Sequence, residues 1–407
     1  MNVNQTLRDL RDWADREIKD ILRFYLDHDY DPDGGWYGAV RRKDLEPVKD
    51  ADRSLVHNGR MLWTFSAACR IYRDPGYLAA AEHSLAYLKE FFVDKEYGGE
   101  YWGLDAHGKP KDDNKILYGM AFTIYGGSEL TIASGKPEGL ELARRVWEQC
   151  EAHVLDKVHD GYWEGLNRDW SKRLEYFNGQ KIHGEKVLNS HLHLIEAYTN
   201  FMRAEQSPAS KKRVEALINI MTDKLLDLTT FHFKPYMTAG WQPTDVLVSY
   251  GHDIEAAWLL VEAAEAYGDT ALIEKAKPIA VRIARAVDEG IDKKFGGMYY
   301  EADESGIVEC GKSWWTQAEA VNGFFNAWQI SGEESFLKQA ADMVEYIKNY
   351  VSDRSGGVFR EWYSRADLPD WDRNNILTVN GWKTPYHNGR MCMKLVEKIN
   401  AILARGL

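Results

Sequence analysis

Cysteine is scarce: the 407-residue chain has four, Cys69, Cys150, Cys310 and Cys392, far apart and without a CxxC pair. That spacing excludes a zinc knuckle and a disulfide framework and reads as reduced thiols in a cytoplasmic setting. Proline is thin as well, with 11 residues, most of them at turns or helix starts such as Pro75, Pro137 and Pro208, so helices can run uninterrupted. No apolar run approaches bilayer-spanning length, and the N-terminal segment lacks a secretory apolar stretch, placing Leu7, Leu10, Ala14, Ile18 and Ile21 at helical spacing instead. Positive charge is in deficit, 51 Lys and Arg against 63 Asp and Glu, for a net charge of -12. That is the wrong sign for neutralising phosphate, so neither nucleic acid nor a membrane is expected as partner. GxGxxG after a strand, GxxxxGK[ST], HExxH and the EF-hand loop are all missing, which leaves no signature of a nucleotide, metal or redox cofactor.

What the chain has in quantity is aromatic residues, 13% of the total with 15 Trp and 22 Tyr, suited to a helical core and to stacking on sugar rings. Several lie in a recurring glycine-led turn: Gly34-Gly35-Trp36-Tyr37, Gly98-Gly99-Glu100-Tyr101-Trp102, Gly161-Tyr162-Trp163, Gly296-Gly297-Met298-Tyr299-Tyr300 and Gly356-Gly357-Val358-Phe359. The interval from Gly161 to Gly297 is about twice the others, which calls for a degenerate copy between them; His232-Phe233-Lys234-Pro235-Tyr236-Met237 sits where it is needed. Between the turns, amphipathic helical patterns come in pairs, so the chain reads as six helical hairpins. The tetrapeptide His57-Asn58-Gly59-Arg60 recurs as His387-Asn388-Gly389-Arg390. This marks the first and last units as equivalents and favours closure into an all-α (α/α)6 barrel over an open solenoid. No linker composition interrupts the run, and residues 1–407 read as one catalytic domain.

Candidate chemistry gathers at helix starts. In Ser249-Tyr250-Gly251-His252-Asp253-Ile254-Glu255, His252 and Glu255 lie three positions and about 60° apart on one helix face, where a carboxylate can orient an imidazole. His387 follows Pro385 at the entry to the last helix, and Trp315 and Glu319 share a face by i, i+4 spacing. His191 and His193 form an HxH pair, but on a helix they point about 200° apart, so one is expected to be a satisfied core histidine and no metal site is expected.

In this order and spacing the segments resemble the N-acylglucosamine 2-epimerase family, most closely its cellobiose 2-epimerase branch. The resemblance runs from His57-Asn58-Gly59-Arg60 through Asn189-Ser190-His191-Leu192-His193, Gly251-His252-Asp253-Ile254-Glu255 and Trp314-Trp315 to Pro385-Tyr386-His387-Asn388-Gly389-Arg390. It implies an (α/α)6 barrel and a cofactor-independent epimerase acting on a small sugar. By the same resemblance His252 and His387 are the acid/base pair, Glu255 supports His252, and Arg60 and His193 surround the reducing-end oxygens. Tyr118, Asn189, Trp315, Glu319 and Trp382 match positions that shape the pocket. Thr316 and Thr384 depart from the family pattern beside pocket residues and bear on substrate preference. Trp258 also matches a family position, but six residues beyond His252 a regular helix points it elsewhere.

Two other chemistries fit less of the pattern. An aldose–ketose isomerase of the mannose isomerase type shares the enediolate and returns the proton to C1. A glycoside hydrolase on the same barrel needs two flanking acids, whereas the matched motifs centre on histidines. A sugar-binding module without turnover leaves the two histidines unexplained. The sequence sets no oligomeric state, and a monomer satisfies it.

Overall fold

The computed structural model describes residues 2–177, 180–368 and 376–405. Among the described residues, twelve α-helices alternate between two concentric layers. The outer ones are α1 (Val3–His28), α3 (Pro75–Tyr87), α5 (Glu138–Gln149), α7 (Pro208–Ile220), α9 (Thr270–Ala286) and α11 (Glu334–Tyr346). The inner ones are α2 (Leu55–Tyr72), α4 (Leu117–Ser134), α6 (Leu188–Glu205), α8 (Tyr250–Tyr267), α10 (Trp314–Ser331) and α12 (Tyr386–Ala404). Each inner helix packs on the next, and α12 returns to α2, so the ring is closed and the fold is an (α/α)6 barrel. The last unit obtains its outer helix from the far end of the chain: α1 packs against α12.

The two layers follow from composition. Inner α4, LYGMAFTIYGGSELTIAS, carries no charge before Glu129 and is buried on nearly every side, whereas outer α5 buries only the stripe Gly139, Leu142, Ala143 and Val146. These two approach through glycines: a Cβ on Gly127 would lie 2.5 Å from the Gly139 carbonyl oxygen. Among the described residues no helix is long and apolar enough to cross a membrane.

The repeating turn sits between each outer helix and the next inner one. It closes with a β-bridge six times: Tyr30 to Trp36, Val93 to Glu100, Leu155 to Tyr162, Leu226 to Phe233, Ile291 to Met298, and Ser352 to Trp362. The degenerate fourth copy is therefore present, with Phe231 at φ 62° where the second and fifth turns have Gly98 and Gly296 and the third has Asp160. In the last unit the equivalent position is Trp362, beyond the Gly356-Gly357-Val358-Phe359 expected from the sequence, because this turn is longer. Short antiparallel pairs, unforeseen in the sequence, stitch units together at the same end; Arg53–Ser54 joins Gly103–Leu104, and Val248–Ser249 joins Glu301–Asp303.

An aspartate follows the first bridge residue of every turn, and in most units it meets a buried cation: Asp31 with Arg53 at 2.7 Å, Asp94 with Lys115 at 2.8 Å, Asp156 with Lys186 at 2.8 Å, Asp292 with Lys312 at 2.6 Å, and Asp353 with Arg42 at 2.6 Å. Four of these cations, Arg53, Lys115, Lys186 and Lys312, stand two residues before an inner helix, and in the fourth unit that place is taken by Val248. Such a pair adds little net stability over an apolar replacement, but half of one left behind is costly. Lys186→Ala, which leaves Asp156 without another cation among the described residues, should therefore lower the unfolding free energy by about 3–5 kcal/mol. Lys338→Ala, in the exposed pair with Asp342, should leave the denaturant midpoint where it was. Comparable midpoints for the two variants would contradict this account.

Candidate active site

The inner helices present their N-termini to one mouth of the barrel, and the register of those termini builds the site. Counting from the first helical residue, the sixth is Arg60 in α2, Phe122 in α4, His193 in α6, Glu255 in α8 and Glu319 in α10. Laying the last HNGR on the first puts Arg390 in the same place. These positions face the barrel axis. Arg390 is fully buried there and donates to Glu319 Oε1 at 2.7 Å, and also to Glu255 and Glu196. Its guanidinium lies over the Tyr386 and Trp258 rings at 4.3 and 4.8 Å. Burial would raise the Glu196 carboxyl, but Arg390, His193 and Tyr386 together outweigh it and hold the group below its ordinary value. Glu255 goes the other way, well above its ordinary value, because of burial and the neighbouring Glu319 charge.

Above this axial cluster lies a cavity of about 280 Å³ whose wall contains Arg60, Tyr118, Asn189, His193, His252 and Glu255, closed on the other side by Trp315, Trp382 and His387. Nine of the ten residues expected at the site thus converge on one space. The tenth, Glu319, stands directly behind it and accepts a hydrogen bond from His387 Nδ1 at 2.7 Å. Tyr300, Ser313 and Trp314 complete the wall and are not singled out by the motifs. A second cavity of about 230 Å³ shares Tyr118, Asn189, His252 and Trp382 and runs outward past Glu164, His183, Tyr236 and Glu301.

The two candidate acid/base histidines flank one indole, with His252 and His387 ring centroids 4.7 and 5.5 Å from that of Trp315. With Nδ1–H given to Glu319, His387 turns Nε2 toward Arg60, whose Nη2 is 3.5 Å away and also donates to the Tyr118 hydroxyl at 2.7 Å. Burial, then the charges of Arg60 and Arg390, push the His387 imidazole well below its ordinary value. Burial, then His193, pulls His252 down to about 3, and burial lowers His193 to about 4. Burial thus favours the basic form of both acid/base candidates.

The expected support of His252 by Glu255 does not form. The two share a helix face, but His252 sits at the third helical position, where its ring turns toward the mouth and its Nδ1 pairs with Ser249 Oγ at 2.7 Å. Glu255 turns to the axis and Arg390, and its Oε2 has no partner among the described residues. Trp258, set aside on helical angle, reaches Glu319 Oε2 from behind at 3.0 Å. The HxH pair separates as expected. The His191 ring pairs with the Val187 carbonyl through Nδ1 at 2.8 Å and accepts the Tyr162 N–H on Nε2 at 3.1 Å, while His193 faces the cavity. Thr316 and Thr384 also turn from the cavity, to the Ser313 carbonyl and the Tyr386 N–H. Glu255, Glu319 and His387 have ligand atoms within 4.8 Å of one another, a cluster the sequence motifs do not reveal. Arg390 already brings positive charge to two of its members.

The sequence profile of the N-acylglucosamine 2-epimerase (GlcNAc 2-epimerase) family matches residues 34–388. The chain belongs to this family. It is accordingly an isomerase-class enzyme, a sugar epimerase. A family member from Bacteroides fragilis, a cellobiose 2-epimerase, is 38% identical over 379 residues, 92% of this chain and 95% of its own. The solved cellobiose 2-epimerase of Spirochaeta thermophila superposes with a TM-score of 0.89 at 31% identity, covering 99% of this chain and 100% of its own. A D-mannose isomerase from Marinomonas mediterranea is 25% identical over 96% of this chain and 98% of its own.

Because kcat/KM reports groups of the free enzyme and burial disfavours both imidazoliums, the basic form of each ring persists to low pH. If the two histidines act as acid and base, the acid limb of kcat/KM for sugar epimerisation should lie well below the ordinary histidine value. A limb centred near the ordinary histidine value of about 6.5 would contradict this.

Proposed function

We propose that the enzyme interconverts the reducing-end glucose and mannose of β-1,4-linked disaccharides, converting cellobiose to glucosyl-mannose, through an enediolate. The observation that carries the reading is the placing of two imidazoles against one indole wall, within joint reach of a single sugar carbon. Once the pyranose has opened, one imidazole takes the C2 proton beside the transient aldehyde. The other, which must first take up a proton from solvent, delivers it to the opposite face and so inverts C2, and the proton gained by the first ring then passes to solvent. Arg60 and His193 stabilise the charge that develops on O1, with Tyr118 and the Trp382 carbonyl fixing the guanidinium. Trp315 forms the floor beneath the reacting sugar. Trp382, 43% exposed at the mouth and 5.5 Å from the Tyr118 ring, offers a stacking face where the second cavity begins, so the outer sugar has a place to lie. The chemistry requires no cofactor, and residues 1–407 act as one catalytic domain. The four unpaired cysteines, three of them buried, support a reducing, cytoplasmic setting.

Isomerisation of a free aldose to a ketose is the second reading, favoured by the likeness to a mannose isomerase. Product analysis separates the readings. With cellobiose, the proposal expects glucosyl-mannose and no free glucose; better kcat/KM on free mannose, with fructose formed, would move the assignment to the isomerase. In deuterated water the epimer should carry deuterium at C2. His252→Asn and His387→Asn should each reduce turnover by about 10²–10⁴-fold with the fold intact by circular dichroism. Near-normal epimerisation by either variant would remove that histidine from the mechanism.

A further inference from the structure

The third helical position of α8 brings together a serine and a histidine in a way no other inner helix repeats. Helices α2 and α8 both have a serine at the N-cap, Ser54 and Ser249. Ser54 does the usual work of that position and accepts the His57 backbone N–H. Ser249 makes no side-chain cap; its hydroxyl lies 2.7 Å from Nδ1 of the His252 ring, and both side chains are in the wall of the outer cavity. The backbone of Ser249 is fixed by its strand pairing with Glu301, so the hydroxyl is a rigid partner. With Nδ1 engaged on the protein side, Nε2 is the nitrogen left to the cavity.

We propose that Ser249 is a positioning residue for His252: its hydroxyl holds Nδ1 and thereby directs Nε2 at the sugar. A hydroxyl suits this task because it can donate to a bare Nδ1 or accept from Nδ1–H, so the ring keeps its orientation whether neutral or charged. This differs from the arrangement at His387, where the carboxylate of Glu319 can only accept. The two histidines are thus held by unlike partners, one by a carboxylate and one by a hydroxyl that adds no charge.

The inference rests on the two-histidine reading, and its test separates the two. Ser249→Ala should lower kcat by about ten-fold, the worth of one hydrogen bond, with KM little changed. Ser249→Thr, which keeps the hydroxyl, should restore most of the loss. Two-bond ¹H–¹⁵N correlation spectra of the imidazoles should show His252 as a single tautomer in the unaltered enzyme and as a mixture in Ser249→Ala. Ser54→Ala, which removes a true cap, should lower stability and leave kcat and the His252 signals unchanged. Ser249→Ala with unaltered kcat and tautomer, in an enzyme that His252→Asn inactivates, would overturn the role of Ser249 alone. Full activity of His252→Asn would overturn the reading beneath it.

Discussion

One buried guanidinium organises the barrel axis. Arg390 arrives from α12 and is met by Glu196 from α6, Glu255 from α8 and Glu319 from α10, all out of contact with water. Charges in such a place are tolerable only together: desolvation of each is offset by the others, and any one left alone is strongly unfavourable. Four inner helices are therefore tied at one depth. The chemistry inherits this order, because the oxygen of Glu319 that receives Arg390 also receives His387 Nδ1–H. Burial and Arg60, and after them this same guanidinium, oppose a positive charge on His387 and favour its basic form.

The duplicated HNGR shows how a repeat is divided between support and function. In α2 the histidine is structural: His57 Nε2 meets Asp29 at 2.7 Å and Nδ1 meets the Asn380 carbonyl at 3.2 Å, joining the first unit to the segment before α12. In α12 the same residue lines the cavity. The arginines divide in the opposite sense. Arg60 reaches the cavity wall, while Arg390 lies beneath it among carboxylates. Sequence identity of the motif thus reports equivalent places in the ring, and the neighbours decide what each place does.

Much of this is legible without coordinates, and the exceptions have physical reasons. The glycine-led turn and the repeated HNGR reveal six units and closure, including the degenerate copy whose bridge ends at Phe233. The last turn is misplaced by its extra length, since a glycine pair at Gly356 imitates the repeat ahead of the true position at Trp362. At the site, nine of the ten residues expected from type and order line one cavity. Helical angle does not foretell which neighbour a side chain chooses, and so pairs His252 with Glu255 when the nearer Ser249 hydroxyl takes Nδ1. It also discards Trp258, whose long indole reaches Glu319 from a direction a wheel of Cβ vectors does not represent. Arg390 had a signal in its likeness to Arg60. Glu196 and Tyr386 had none, because partners three helices apart meet only when the ring closes.

The claim that this axial charge cluster underlies both fold and site is tested most directly by comparing the unfolding free energies of the unaltered enzyme and Arg390→Gln across pH. Without the guanidinium, burial would act on Glu196 with less to oppose it, and on Glu255, which already stands well above its ordinary value, more strongly still, so the folded-state pKa values of both would rise. A carboxyl raised in this way penalises folding in full above its folded pKa; the penalty shrinks as pH falls below that value and is gone below the unfolded one. The account predicts a deficit of several kcal/mol, about 3–5, near pH 8 that shrinks as the pH is lowered toward 5. A deficit independent of pH, or none at all, would contradict it.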